Sequence, residues 1–249
     1  AGITRLSFGV QSFVAGELRT LGRQHSADDV AAVVHRARDA GFCDLSLDLM
    51  FAVPAQTLAS WEESIDAAIR LEPDHVSTYA LTVEAGTPYA DWRERELSAF
   101  ASEDLEAEQY RLAIERLGAA GFEHYEVSNF ARPGHPCRHN QNYWRNGEYV
   151  GLGVGAASYL DGTRSVHTRD LDEYVRAALA GEPIPGTSEC LRGLARIGEA
   201  AMLALRTNEG VDLAFFRERY GIDFLHSYKR SIRELEGAGM LEVTPTHVR

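Results

Sequence analysis

The residues best suited to chemistry fall in three short polar segments. The last of them, residues 128–144, ends in His139-Asn140-Gln141-Asn142-Tyr143-Trp144, where an imidazole precedes two adjacent aromatic rings. A neutral imidazole is a metal ligand, and neighbouring aromatic side chains give it apolar cover. The same residues equally suit a packed, hydrogen-bonded histidine in a core. His135, Cys137 and His139 form an H-x-C-x-H run that invites a zinc reading. Structural zinc takes four ligands, and no partner pair at suitable spacing is evident, so zinc is the lesser reading. The other two segments are Gly9-Val10-Gln11-Ser12-Phe13 and the stretch 48–57. Both place polar side chains at the C-terminal ends of expected strands, the rim where parallel α/β folds bind ligands. Gln11 and Asp48 either face a ligand from that rim or merely tie strand ends to loops. The three cysteines, Cys43, Cys137 and Cys190, lie too far apart for a local iron–sulfur or zinc motif, which needs clustered thiolates.

Strands and helices must hold these segments in place. A strand over residues 4–13 contains Leu6, Phe8 and Val10. Ser26 is an N-cap, with Asp28 and Asp29 facing the positive end of the helix dipole. Val30, Val33, Val34 and Ala37 follow at helical spacing, and Gly41 ends that helix. A strand over 44–50 leads through Val53-Pro54-Ala55-Gln56-Thr57 to a helix over 58–71. Pro73 then precedes a strand over 75–82. A polar loop at 84–88 and a charged stretch lead to a helix over 102–120, striped by Tyr110, Ala113, Ile114 and Leu117. Residues 122–127 read as a fourth strand and 151–159 as a fifth. This alternation predicts an α/β fold with a parallel sheet. About five strands are too few for a closed eight-stranded barrel, so the expectation is part of an incomplete (β/α) barrel. Residues 182–187 read as a linker. Beyond it, helices over 190–205, 213–220 and 225–236 precede a short strand, a winged-helix-like order. The expected domains are 1–182 and 183–249.

Bulk properties narrow the function classes. Lys+Arg total 25 against 37 Asp+Glu, a net charge of −12 that repels phosphate backbones and argues against nucleic acid as the main partner. The winged-helix-like part is therefore given a structural role. No apolar run approaches the roughly 18–20 residues of a membrane span. The first residues lack a secretory pattern, and sparse, unpaired cysteines suit a reducing compartment, so the cytoplasm is the expected location. The start on a strand without Met and the stop at Arg249 read as a fragment trimmed mainly at the front.

Several ordered stretches carry a family resemblance. They are Arg5-Leu6-Ser7-Phe8-Gly9-Val10-Gln11-Ser12-Phe13, Leu21-Gly22-Arg23-Gln24-His25 and Asp48-Leu49-Met50-Phe51-Ala52-Val53-Pro54-Ala55-Gln56-Thr57. Ser128-Asn129-Phe130-Ala131-Arg132-Pro133-Gly134 and Gly151-Leu152-Gly153-Val154-Gly155-Ala156 follow. Through nearly its whole length the chain resembles the radical-SAM family of the oxygen-independent coproporphyrinogen III oxidase. The H-N-x-x-Y-W segment resembles the haem-chaperone (HemW-type) branch of that family. The resemblance implies a partial radical-SAM barrel over 1–182 and a HemN-type helical domain over 183–249. It implies S-adenosylmethionine contacts at Gln11, Arg23, Asp48, Thr82 and Ala157. It implies haem contacts at His139, Asn140, Tyr143 and Trp144, with His139 on the iron; a thiolate ligand at Cys137 stays open.

The family holds a [4Fe–4S] cluster through a C-x₃-C-x₂-C loop, which this chain does not contain. No catalytic residue is therefore assigned and no radical turnover is expected of the chain as it stands. The first functional expectation is haem binding and delivery to acceptor proteins, with the cluster and S-adenosylmethionine in the complete protein. The alternatives are a coproporphyrinogen III oxidase that decarboxylates two propionates, and an inactive remnant. Ala52, Val53 and Ala55 stand where relatives commonly carry a glycine-rich loop, and Ala157 where the chaperone branch often has histidine. Alanine at a positive-φ position costs roughly 1 kcal/mol. An exposed parallel sheet edge is expected to promote self-association.

Overall fold

A computed structural model describes residues 2–249, in two compact units, Ala1–Pro136 and Cys137–Arg249. In the first unit the strands are β1 (Arg5–Gln11), β2 (Asp44–Phe51), β3 (His75–Ala80), β4 (Glu123–Glu126) and β5 (Asn129–Ala131). Its helices are α1 (Ala15–Thr20), α2 (Ala27–Asp39), α3 (Leu58–Arg70), α4 (Pro88–Arg95) and α5 (Glu103–Ala119). One sheet runs in the order β1-β2-β3-β5-β4, which leaves β1 at an edge. β1, β2 and β3 are parallel, as the βα alternation predicts.

Local chemistry sets the crossovers. Ser26 and Thr57 each close a capping box, with Asp29 and Ser60 respectively, so α2 and α3 start where the polar loops end. Period-two alternation then sorts β2 into two faces. Leu45, Leu47, Leu49 and Phe51 are buried in the core with Val30 and Val34 of α2, Trp61 and Ile65 of α3, and Leu117 of α5. Asp44, Ser46, Asp48 and Met50 occupy the opposite, polar face.

The fourth expected strand is the first correction. Residues 123–126 do not extend the parallel sheet; β4 forms an antiparallel hairpin with β5, and β5 pairs antiparallel with β3. Phe130, which lies beyond the strand expected over 122–127, is fully buried and stacks on His124 with ring centroids 4.4 Å apart. Burying that ring and satisfying the Thr78 amide with the Ser128 carbonyl favour turning back at Val127. The charged stretch after residue 88 is not irregular throughout, because Thr87 caps α4 with Pro88 at its first position.

The second unit begins with α6 (Arg138–Trp144), followed by β6 (Ala157–Leu160), β7 (Thr163–His167), α7 (Leu171–Ala180) and β8 (Gly186–Cys190). Then come α8 (Gly193–Ala204), β9 (Val211–Asp212), α9 (Leu213–Tyr220), α10 (Phe224–Ser227), α11 (Lys229–Gly237) and β10 (His247–Val248). β6, β7 and β8 form an antiparallel sheet, and β9 pairs with β10.

The fifth expected strand is thus shortened to β6, and it joins a separate antiparallel sheet. Gly153 and Gly155 have positive φ, and a Cβ at Gly151 would lie 2.1 Å from the Ala157 carbonyl oxygen, so this glycine-rich stretch is a close-packed loop. The expected linker is partly strand: a Cβ at Gly186 would meet the Val166 carbonyl at 2.1 Å, a contact that only glycine allows in β8. The last expected helix is broken at Tyr228 into α10 and α11. The strand expected near residue 240 reduces to a bridge between Val243 and Val248. Ile197, Ala200, Phe216, Phe224, Ile232 and Val248 make the core of the α8–β10 region.

Candidate functional site

Strand pairing brings the first set of polar residues to one rim. Asp48 lies opposite Gly9 on β1 and Ser77 on β3. Its Oδ1 accepts a hydrogen bond of 2.9 Å from the Ser7 hydroxyl. Gln11 ends β1 at φ 68°, where the pairing with β2 shifts register. A Cβ at Gly9 would stand 2.9 Å from the Gln11 Nε2, so the glycine makes room for the folded-back amide. Thr82 is exposed two residues beyond β3, and Arg23 is exposed in the loop between α1 and α2. Its backbone N–H is held by the Leu18 carbonyl at 2.8 Å. Gln11, Asp48 and Thr82 therefore share the C-terminal side of the three parallel strands. A carboxylate and an amide there suit a diol, and an exposed guanidinium suits a carboxylate. Gln11, Asp48 and Thr82 are thus placed on one rim, with Arg23 in the exposed loop before α2. Ala157 belongs to the second unit, at the start of β6.

Beneath that rim, the polar face carries interactions that sequence reading missed. Arg5 pairs with Asp44 at 2.8 Å. Ser46 Oγ and His75 Nδ1 lie 2.8 Å apart, and His75 Nε2 is 2.9 Å from the Tyr125 hydroxyl. The alternation of Asp44, Ser46 and Asp48 was the available signal. Burial, and secondarily the positive charge of Arg5, pushes the His75 pKa from 6.5 down to about 3. Between those values the unfolded chain binds a proton that the fold excludes. This contribution to stability is present above about 6.5 and falls as pH drops toward 3, by about 1.4 kcal/mol per pH unit. Urea midpoints measured at pH 7 and pH 5 should show this slope, and His75→Gln should flatten it. An unchanged slope in the variant would place the acid lability elsewhere.

The loop after β2 departs from the family pattern in the way that costs energy. Ala52 and Ala55 have φ of 58° and 64°. Ala55 is exposed, so Ala55→Gly should stabilise the chain by about 1 kcal/mol. Ala52 is buried, and Ala52→Gly should gain little, because the lost methyl burial offsets the relieved strain. Chemical denaturation of the two variants checks this difference.

Buried hydrogen bonds hold the loop despite that strain. The Ala52 amide donates to Gln109 Oε1 at 3.0 Å, and Gln109 Nε2 donates to Gln56 Oε1 at 3.1 Å. Gln56 Nε2 donates in turn to Glu17 Oε2 at 2.9 Å, which also accepts from the Ser12 hydroxyl at 2.7 Å. Glu17 and Gln109 carried no motif, so the sequence offered no signal for either.

In the second unit the six-residue segment forms most of α6. His139 is exposed, and its Nε2 lies 3.0 Å from the Tyr143 hydroxyl. The Tyr143 ring meets His139 edge-on at 4.8 Å and Tyr149 at 4.6 Å. Asn142 Nδ2 donates to the Glu148 carbonyl, and Gly147 leaves room for the Asn142 amide, since a Cβ there would stand 2.1 Å from Oδ1. Trp144 points inward, with a buried indole N–H and the Arg206 guanidinium 5.1 Å above its ring. Asn140 is half-buried beside His139. The segment therefore presents one exposed imidazole on an anchored helix turn, which fits a haem ligand.

Among the described residues no three His, Cys, Asp or Glu side chains gather as a metal site, and Cys43, Cys137 and Cys190 form no disulfide. The residues present do not supply a site for a [4Fe–4S] cluster. No helix among the described residues is long and apolar enough to cross a membrane.

Comparison with known proteins adds a family match, two relatives and one solved structure. The HemN C-terminal domain family matches residues 193–249. The heme chaperone HemW of Bacillus subtilis (strain 168) is 37% identical over 97% of this chain and 64% of its own length. The heme chaperone HemW of Synechocystis sp. is 41% identical over 86% of this chain and 52% of its own length. The chain thus spans about half to two thirds of the relatives it matches. Coproporphyrinogen III oxidase (HemN) from Escherichia coli, a radical SAM enzyme, superposes with a TM-score of 0.81 over 100% of this chain and 60% of its own. At 20% identity, that likeness establishes a shared fold.

Proposed function

We propose, on the premise that this chain belongs to the radical-SAM family of HemN and the haem chaperone HemW, that it binds haem for delivery to acceptor proteins. The observation that carries this reading is the exposed His139 on α6, beside a tyrosine pair and outside any buried core. His139 is the iron ligand in this reading, and Asn140, Tyr143 and Trp144 shape the helix that presents it. A neutral imidazole binds haem iron, and the aromatic rings lower the polarity around it.

S-adenosylmethionine is the second ligand proposed. Asp48, held by Ser7, would take its ribose hydroxyls; Gln11 and Thr82 would line the rim; Arg23 would hold its carboxylate. When bound beside a [4Fe–4S] cluster, this cofactor supplies radical chemistry, and the cluster ligands would have to come from outside this sequence. The proposed setting is the cytoplasm, and self-association would use the free edge of β1.

Titration of the 249-residue chain with haem tests the central claim. The expected result is a Soret band that saturates near one haem per chain. Absorbance that grows without saturation would reject a defined site.

A further inference from the structure

We infer that Tyr143 latches His139 when haem is absent, and that haem binding exchanges this hydrogen bond for the iron–nitrogen bond. The inference rests on the haem-binding reading above and concerns the regulation of that same site.

The geometry carries it. The hydroxyl of Tyr143 lies 3.0 Å from Nε2 of His139, one helical turn away. The hydrogen bond at Nε2 and an edge-on ring contact, both to Tyr143, hold the His139 imidazole. The phenol is the less mobile of the two groups. Its ring is held edge-on by Tyr149, and the Tyr149 backbone exchanges hydrogen bonds of 3.0 and 2.9 Å with buried Tyr159. His139, exposed in the first turn of α6, has its one ring contact with Tyr143 itself, while Tyr143 is also braced by Tyr149. An incoming iron therefore competes with a fixed hydroxyl for a movable imidazole nitrogen.

The balance is simple. A lone pair on Nε2 either accepts the phenol O–H or binds iron, and it cannot do both. When iron takes it, the hydroxyl is released to water, and no atom is oxidised or reduced. In the opposite tautomer Nε2–H donates to the phenol oxygen, and iron binding at Nε2 still requires that bond to break and the proton to move to Nδ1. Either way the latch weakens haem binding by its own strength. A half-exposed neutral hydrogen bond of this kind contributes about 1 kcal/mol, equivalent to a fivefold change in affinity.

The test titrates haem into the wild-type chain and into Tyr143→Phe, His139→Ala and Tyr149→Phe. Tyr143→Phe keeps the ring and should bind haem about fivefold more tightly, with an unchanged Soret position and a faster association rate. Tyr149→Phe keeps its ring edge and should bind as the wild type does. Imidazole ¹⁵N shifts of His139 in the haem-free chain give a second readout, which should move in Tyr143→Phe only. Unchanged or weaker binding by Tyr143→Phe, with His139→Ala impaired, would overturn the latch and leave the haem reading intact. Equal binding by His139→Ala and wild type would overturn the ligand assignment and the latch together.

Discussion

Replacing His139 by alanine is expected to lower the haem affinity of the chain at least about tenfold, equivalent to about 1.4 kcal/mol. The Soret band should weaken and shift, because the iron loses a nitrogen ligand and falls back on water or a weaker donor. The size of the effect follows from exposure. His139 is solvent-accessible and makes a single hydrogen bond to Tyr143, so its removal leaves no buried group unsatisfied. The fold should survive the change, and far-ultraviolet circular dichroism of the two chains should coincide. A loss of affinity is then attributable to the ligand. If affinity is unchanged, the next donor to test is Cys137, the residue immediately before α6. Cys137→Ser would then abolish a band that His139→Ala leaves in place.

Gln109→Leu should destabilise the first unit by about 3 kcal/mol, although Gln109 is not itself one of the proposed ligand contacts. Gln109 has no exposed surface, and both ends of its amide are in use. Leucine fills a similar volume but leaves the buried Ala52 amide without an acceptor and removes a donor from Gln56. Each orphaned buried group costs about 1–3 kcal/mol, and leucine's added apolar contact offsets part of that. The measurement is the urea midpoint, read together with hydrogen exchange at the Ala52 amide. Exchange at that amide should accelerate by more than global unfolding explains, because the loop after β2 loses its anchor. A cost below about 1 kcal/mol would mean that the loop relaxes to pair the amide elsewhere. Asp48 lies just before this loop, so a loosened loop should also blunt S-adenosylmethionine binding.

Much of the architecture was legible in sequence because it rests on local rules. Ser26 and Gly41 marked helix ends through capping, and the apolar spacing of α2 and α5 marked their buried faces. The three parallel strands followed from βα alternation. The glycine-rich pattern of relatives marked Ala52 and Ala55 as departures, and the structure gives both a positive φ. Where the reading failed, long-range contacts had decided. The β4–β5 hairpin exists because Phe130 is buried and Thr78 takes the Ser128 carbonyl, neither of which is marked by local spacing. Gly186 became strand because a neighbouring carbonyl leaves no room for a Cβ.

The candidate site divides in the same way. Sequence alone named the side chains proposed to hold a ligand: Asp48 toward the end of β2, Gln11 at the end of β1, and His139 within its motif. It also determined that no clustered thiolates are present, because residue type and spacing suffice for that. Only the tertiary structure decided what each of them touches. Ser7 reaches Asp48 through the register of β1 on β2, and Glu17, Gln56 and Gln109 meet from three separate elements. His75 became a deeply buried neutral base because neighbouring strands closed over it. Hydrogen bonds and desolvation depend on distances of a few ångströms between residues far apart in the chain, and only folding sets those distances.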